Sequence, residues 1–371
     1  MQYSDLFVKD RNKNNGEIKE IIKVSKLCFG SLCIGPLQSD LGINDGADII
    51  KQAFDLGINF IDTAQLYGTY KYIKSALEKY YSDNNINNIN NINSKNNIVV
   101  STKTYAYTKK LAKEALDEAL RELNRDYIDI FMLHEQESIH TIYGHIGALE
   151  YLFDQKEAGK IKAVGISTHH ISGVSGAVEF NETYKKNKLD LIHPMYNISG
   201  LGIIPDSDID SEPDKFDKID KIKILEHMET ALLKAKKSGF FIFSMKAIGG
   251  GNLFSQAENA LNFVLNKPFI DSVAVGMKSL PEVHANVKLF ETGKFPDEYY
   301  ADYQNYQADQ LKQPKKRLHI DDWCSGCGKC VSKCSAGALR ISDGRAVCDY
   351  NKCVLCGYCS SVCRDFAIKI I

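Results

Sequence analysis

Three things this 371-residue chain lacks set the first limits. It has almost no net charge, a formal -1, so no basic field gathers nucleic acid or an anionic membrane surface. It has no long apolar run: nothing approaches the roughly 18 consecutive apolar residues of a spanning helix. The first residues, MQYSDLFVKD, also carry no apolar signal region. The expectation is a cytoplasmic protein with no nucleic-acid and no membrane partner. The third absence is a glycine fingerprint. Gly30-Ser31-Leu32-Cys33-Ile34-Gly35 does not match the G-x-G-x-x-G turn with which an open, doubly wound sheet grips a dinucleotide.

What is present is a regular alternation. With 44% hydrophobic residues the chain can bury one large domain and something small beside it. Residues 6–25 read as a two-stranded ribbon turning at Asn14-Asn15-Gly16, where positive φ costs little. Short apolar strands then fall near 27–30, 59–62, 98–102, 128–133, 163–167, 190–195, 240–244 and 272–275. Amphipathic helices separate them. Asn44 is placed to cap a helix through Leu56 that Gly57 ends. KEALDEALREL (113–123) carries its leucines on one face. Gly159 and Gly239 stop two further helices, and Ser279-Leu280-Pro281-Glu282 reads as a capping box. Eight such units predict a closed (β/α)8 barrel with its chemistry on the loops after the strands.

The same logic sorts the insertions. The Asn-rich run at 84–97 follows a helix, so it belongs to the bottom face as a solvated loop. Ser199–Lys221, rich in Asp, follows the sixth strand and belongs to the active face, either as a lid or as an acidic loop. Residues 291–318 form a Tyr- and Gln-rich, then basic, linker marked by Pro314 and the triplet at 315–317. The expected division is a barrel over 1–290, the linker over 291–318 and a small domain over 319–371.

Four polar side chains gather at the ends of consecutive strands. NFID ends in Asp62, and Tyr67 follows after a turn, next to Gly68. VVSTK delivers Lys103, and the strand ending MLH delivers His134. Each has a bland alternative: a helix cap, a packing ring, a surface charge, a core histidine. Together on one rim they suit polar carbonyl reduction. Tyr67 would donate a proton to the carbonyl oxygen as hydride reaches carbon, or run the reverse with an alcohol. Lys103 would stabilise the phenolate, Asp62 would fix Lys103, and His134 would orient the carbonyl.

FIDTAQLYG, VVSTK, the strand ending MLHE, and AVGIS resemble the successive signatures of the aldo-keto reductase family, over roughly 20–290. The resemblance implies that Asp62, Tyr67, Lys103 and His134 are its catalytic tetrad and that NADP(H) lies across the top of the barrel. It carries Ser167 onto the family's carboxamide-binding serine. Thr168 stands where an asparagine is usual, His193 where a glutamine is usual, and Met245, followed by Lys246, where a tyrosine usually stacks on the nicotinamide. Gly276, Lys278, Ser279 and Asn286 match the segment that holds the adenosine 2′-phosphate and adenine. A lysine at the start of a capped helix suits a phosphate and favours NADP over NAD.

Cysteine is sparse until the end. Of 11 cysteines, eight form two copies of C-x2-C-x2-C-x3-C, CSGCGKCVSKC (324–334) and CVLCGYCSSVC (353–363). In a chain without export signals this density reads as metal ligation rather than disulfides, and zinc is the alternative that C-x2-C pairs leave open. The pattern resembles the bacterial two-[4Fe-4S] ferredoxin over 320–371, with a hairpin at Asp343-Gly344 and a closing strand AIKII, so a small α+β ferredoxin-like domain is expected. That resemblance implies that Cys324, Cys327, Cys330 and Cys363 hold one cluster and Cys353, Cys356, Cys359 and Cys334 the other. The proline usual after the fourth cysteine is Ser335 in one copy and Arg364 in the other. Cys28 is expected in the core, Cys33 at the barrel mouth near cofactor or merely packed there, and Cys348 as a hairpin side chain.

The leading expectation is an NADP(H)-dependent reductase of an aldehyde or ketone with two iron–sulfur clusters for electron transfer. An electron-donor protein, a ferredoxin or flavoprotein, is the partner that clusters would imply. Two readings stand beside it: an electron-transfer or redox-sensing protein whose barrel does not turn over, and a flavin- or cluster-driven reductase using the same pocket.

Overall fold

The computed structural model describes residues 1–9, 18–84, 98–203, 218–299, 317–334, 336–353, 355–365 and 367–370. The ribbon is β1 (Tyr3–Lys9) and β2 (Ile18–Ser25), paired antiparallel. Eight parallel strands follow: β3 (Leu27–Gly30), β4 (Phe60–Asp62), β5 (Val99–Thr104), β6 (Ile128–Leu133), β7 (Ile161–Thr168), β8 (Leu191–Pro194), β9 (Phe241–Ser244) and β10 (Ser272–Gly276). They close in the order β10-β3-β4-β5-β6-β7-β8-β9, so no edge is left unpaired within the barrel. All eight expected strands are present.

Side chains alternate between two cores, as the pleat requires. Leu27, Phe29, Ile61, Val100, Phe131 and Ile192 point out against the surrounding helices. Cys28, Phe60, Val99, Ile130, Met132 and Phe243 point in, and Leu6, Val8, Ile22 and Val24 of the ribbon pack against them. The ribbon therefore plugs the bottom, and only the top of the barrel is left for a pocket. On that inner register Phe60 is followed by Asp62, Val99 by Ser101 and Lys103, and Ile130 by Met132 and His134.

The helices on the outside are α1 (Ile43–Asp55), α2 (Tyr70–Asp83), α3 (Lys109–Leu123), α4 (Ile139–Gly144), α5 (Ile146–Glu157), α6 (Ile171–Thr183), α7 (Lys218–Lys237), α8 (Ala257–Leu265) and α9 (Leu280–Thr292). Gly57, Gly159 and Gly239 end their helices with φ of 88°, 76° and 86°. Two expected caps differ. α1 begins one residue before Asn44, with Gly42 as an N-cap that has no side chain to offer. At α9 the box is half made: Ser279 accepts the Glu282 N–H at 3.3 Å, but the Glu282 carboxylate takes the Lys278 N–H at 2.8 Å instead of closing back on Ser279. α9 runs to Thr292, and Phe295 and Tyr299 are buried against the barrel.

Beyond it, β11 (Leu318–Ile320) pairs antiparallel with β14 (Ile368–Ile370), and β12 (Leu339–Ser342) with β13 (Arg345–Cys348). Two short helices, α10 (Lys329–Lys333) and α11 (Tyr358–Ser361), lie between these strands. Asp343 and Gly344 form the expected hairpin turn, with φ of 52° and 75°. The ribbon turn at Asn14-Asn15-Gly16, all of the Asn-rich run except Asn84, most of the acidic insertion, the linker from 300 to 316 and Ser335 lie outside the described residues. No helix among the described residues is long and apolar enough to cross a membrane.

The bottom is braced by carboxylates that each accept a backbone N–H from a neighbouring strand and pair with a cation on a surrounding helix or just past its end. Asp129 takes the Val100 N–H at 3.0 Å and pairs with Arg125 at 3.0 Å. Asp190 with Lys156, and Asp271 with Lys236, repeat the arrangement at 2.6 Å. Replacing Asp129 with Ala leaves Arg125 buried without that carboxylate. The expected loss is about 3 kcal/mol of unfolding free energy, read as a lower urea midpoint at unchanged slope.

Candidate active site

Asp62 closes β4, and its carboxylate is buried at the top of the inner core. Lys103, on β5 and fully buried, donates to both Asp62 oxygens, at 2.7 and 2.6 Å, and to the Thr63 carbonyl at 2.9 Å. Ser101 adds a bond to the same carboxylate at 3.2 Å. Tyr67 stands in a single 3-10 turn, Gln65–Tyr67, which Gly68 ends at φ 67°. The ammonium of Lys103 lies 4.9 Å from the centroid of the Tyr67 ring. His134, just past β6, meets that ring edge-on at 5.8 Å between centroids. The four expected tetrad residues are thus one contiguous group.

The charges are arranged unequally. Burial works against an ionised Asp62, but Lys103 and then His193 outweigh it and hold the carboxyl well below the usual range. Burial first, then Asp62 and Glu135, pushes the Tyr67 phenol well above its ordinary value. Burial, reinforced by Lys103, drops His134 to about 2, so its imidazole is neutral at any physiological pH. All three donors of the Lys103 ammonium are taken by Asp62 and Thr63. What reaches Tyr67 is the charge of Lys103 and not one of these bonds. Tyr67 therefore holds its proton until a stronger base arrives.

The residues assigned to a cofactor divide into groups. Ser167 is buried and accepts the Glu135 N–H at 2.9 Å. Thr168 spends its hydroxyl on the turn into α6, accepting from the His170 N–H at 2.9 Å. His193 turns towards the tetrad: its Nε2 is 3.7 Å from Asp62, its Nδ1 2.6 Å from the Phe243 carbonyl, and its ring stacks on Phe243 at 3.9 Å. Met245, bridged to Met195, is half-buried against the outer core. Lys246 follows at φ 57°, an unusual conformation for a side-chain-bearing residue. Burial lowers its ammonium to about 8, against the opposing pull of Glu135 and Cys356. On the far side of the rim, Gly276 leaves room for Cys33, whose Sγ would lie 3.1 Å from a Cβ added there. Lys278 and Ser279 open α9, and Asn286 donates to the Glu282 carbonyl at 2.8 Å while its buried Oδ1 has no partner among the described residues.

A family model, that of the aldo/keto reductase family, matches residues 26–212. The chain belongs to that family. It is 25% identical over 299 residues to an L-galactose dehydrogenase of Arabidopsis thaliana, covering 72% of this chain and 84% of the relative. Its fold is similar to that of an aldo-keto reductase from Bacillus halodurans in holo form, with a TM-score of 0.53 at 22% identity, covering 82% of this chain and 96% of that one. A separate, short similarity reaches 43% over 47 residues, 13% of this chain and 18% of the relative, to a component of an ion-translocating oxidoreductase complex of Methanosarcina acetivorans.

The cysteines of this aldo-keto reductase are all free thiols. Two cavities in the C-terminal segment are lined by them. One is bounded by Cys324, Cys327, Cys330 and Cys363, the other by Cys334, Cys353, Cys356 and Cys359. Backbone N–H groups point at three of the sulfurs: Ala346 at Cys324 (3.5 Å), Ala338 at Cys334 (3.3 Å) and Ala367 at Cys363 (3.3 Å). Among the described residues, no three His, Cys, Asp or Glu side chains are set to hold a single metal ion. Cys348, expected only as a hairpin side chain, lies against the second group, where burial and then Cys353 push its thiol up to about 12.

Three rim residues escaped the sequence reading. Tyr105 stacks on His134 at 4.3 Å and its hydroxyl donates to Glu135 at 2.7 Å. Glu135 itself sits at φ 51°. Gln136 is buried, with an Oε1 that has no partner among the described residues. Their positions, two residues past Lys103 and one and two past His134, were the available signal. The Asp62 carboxyl provides the test. Its folded pKa lies below its unfolded value of about 3.9, so its stabilisation is complete above that pH and lost as pH falls towards the folded pKa. In Lys103→Met, burial is no longer offset by the nearest cation. The variant is expected to lose about 3 kcal/mol at pH 7, and to lose less further stability than wild type below about pH 4, measured by urea unfolding across pH.

Proposed function

We propose that this aldo-keto reductase reduces the carbonyl of a small aldehyde or ketone with NADPH, or oxidises the corresponding alcohol, and that its C-terminal segment is a small domain carrying two [4Fe-4S] clusters. The observation that carries the first part is the buried Lys103–Asp62 pair beneath a protonated Tyr67, with a neutral His134 on the same rim. Bound NADPH supplies the hydride. Tyr67 keeps its phenolic proton in the resting site because burial and the carboxylates nearby oppose a phenolate. It gives that proton up when negative charge grows on the substrate oxygen, which is a far stronger base. Lys103 then places its cation beside the phenolate, at no cost in rearrangement, because Asp62 and Thr63 already fix it. Neutral His134 offers one ring nitrogen to the carbonyl without competing for the proton, and the stacked Tyr105 ring holds its plane.

Residues at both ends fit a dinucleotide. Ser167 and the Gln136 Oε1 suit the carboxamide, and the Asn286 Oδ1 suits the amino group of adenine; neither oxygen has a partner among the described residues. Lys278 and the open start of α9 suit a phosphate, whereas Glu282 beside them works against one; NADP over NAD rests on Lys278. Thr168, His193, Met245, Lys246, Gly276 and Ser279 complete the proposed cofactor set, with His193 acting chiefly through Asp62.

The barrel is assigned to 1–290, the connection to 291–318 and the cluster domain to 319–371. The two cysteine-lined cavities support the cluster assignment. Each is lined by three thiols from one run and the fourth from the other. A polynuclear cluster fits that arrangement better than a zinc ion. A small-molecule substrate and a one-electron donor protein are the partners this implies.

Tyr67→Phe is expected to lower kcat for NADPH-dependent reduction of a panel of aldehydes by about 100-fold or more, with NADPH affinity within about twofold of wild type. Full activity on every carbonyl that the wild type reduces would sink the tetrad assignment. Anaerobically purified protein is expected to bind about eight iron atoms with matching sulfide, and Cys356→Ser to keep about half of the iron. Zinc in place of iron would contradict the cluster assignment.

A further inference from the structure

Lys246 and Tyr358 form a contact between the barrel mouth and one of the two cysteine cavities. The Lys246 ammonium lies 4.3 Å from the centroid of the Tyr358 ring. Tyr358 is the first residue of α11, between Cys356 and Cys359, and it lines the cavity of Cys334, Cys353, Cys356 and Cys359. Its ring also packs against the outer core of the barrel. A Cβ added at Gly250, four residues past Lys246, would lie 3.5 Å from the Tyr358 hydroxyl and 3.7 Å from Cys356 Cβ. Lys246 lies two residues past the end of β9, where its charge opposes protonation of His134 and His169 and Glu135 favours its own. Lys333, at the end of α10, is the opposing cation from the cysteine side. The cavity of Cys324, Cys327, Cys330 and Cys363 is lined only by residues from Cys324 to Ile368, and Cys327 is exposed there.

We propose that Lys246, held on Tyr358, couples the charge of the cluster in the second cavity to the binding of an anionic ligand at the barrel mouth, leaving the first cluster uncoupled. This rests on the cluster and cofactor readings above. An electron added to the nearer cluster adds negative charge that the Lys246 cation stabilises. An anion bound at the mouth draws on the same cation. The two events therefore oppose one another, and by linkage the opposition is reciprocal: the ligand disfavours reduction as much as reduction disfavours the ligand. The nearer cluster is the one that senses the pocket, and the outer one faces a one-electron donor.

The test is an EPR-monitored redox titration of the full chain with both clusters loaded, poised with dithionite and mediators. The probe is 2′-phospho-ADP-ribose, an NADP fragment that cannot accept hydride. In wild type the probe is expected to lower the midpoint of one cluster and leave the other in place, and to bind more weakly to reduced than to oxidised protein. Lys246→Met is expected to make reduction of that same cluster roughly tenfold less favourable, a shift of about 59 mV for one electron, and to abolish the response to the probe. Lys246→Arg should restore most of both, and Tyr358→Leu should weaken the response with Lys246 still present. Two midpoints that move together, or neither moving while the probe binds, would overturn the coupling and leave the cluster assignment intact. If wild type gives no reduced-cluster signal at all, both readings fall.

Discussion

The ion pair between Lys103 and Asp62 is the constraint on which the rest of the site depends. Neither partner is tolerable alone at that depth, since an unpaired ammonium or carboxylate in the barrel interior would shed its charge. Together, with Thr63 and Ser101 completing their hydrogen bonds, they fix a cation under the Tyr67 ring before any substrate arrives. Their depth follows from the plug below them. Because the N-terminal ribbon fills the bottom of the barrel, the inner register is apolar up to Phe60, Val99 and Ile130 and turns polar only one or two pleats higher. The site begins where that apolar packing stops.

The strands and the tetrad were legible because both rest on short-range rules. Short apolar runs alternating with amphipathic helices marked the eight strands, and the ends of three consecutive strands put Asp62, Lys103 and His134 on one rim without reference to any contact. The misreadings share a cause. Asn44 looked like a cap, yet Gly42 holds that position, because where a helix starts is settled by the loop entering it. Glu282 had the spacing of a capping-box partner but turned to the Lys278 N–H, a choice between two nearby donors that spacing does not resolve. His193, which the resemblance gave to the cofactor, also makes a contact the sequence did not announce: its ring reaches across the barrel to Asp62. Contacts of this kind, the stack of Tyr105 on His134 among them, join residues far apart in the chain, and no local pattern announces them.

The C-terminal segment shows the opposite balance. Its cysteine spacing was readable, and the two cavities are lined by the same two groups of four thiols that the ferredoxin resemblance implied. How it faces the barrel was not readable at all. Tyr358 carries no signal in the sequence beyond being a tyrosine among cysteines, and Lys246 looked like a cofactor residue only. The contact between them places one cysteine-lined cavity by the barrel mouth.

The central claim is that the barrel moves a hydride to a carbonyl carbon while Tyr67 supplies the proton. The most direct measurement is an anaerobic single turnover of cluster-loaded protein with NADPH deuterated at the transferable position of the nicotinamide, together with an aldehyde that it reduces. The account predicts deuterium on the carbinol carbon, one equivalent of alcohol per NADPH consumed, and a cluster absorbance that stays that of the oxidised form. Alcohol whose new C–H bond carries solvent hydrogen, formed as the clusters pass through their reduced state, would contradict it.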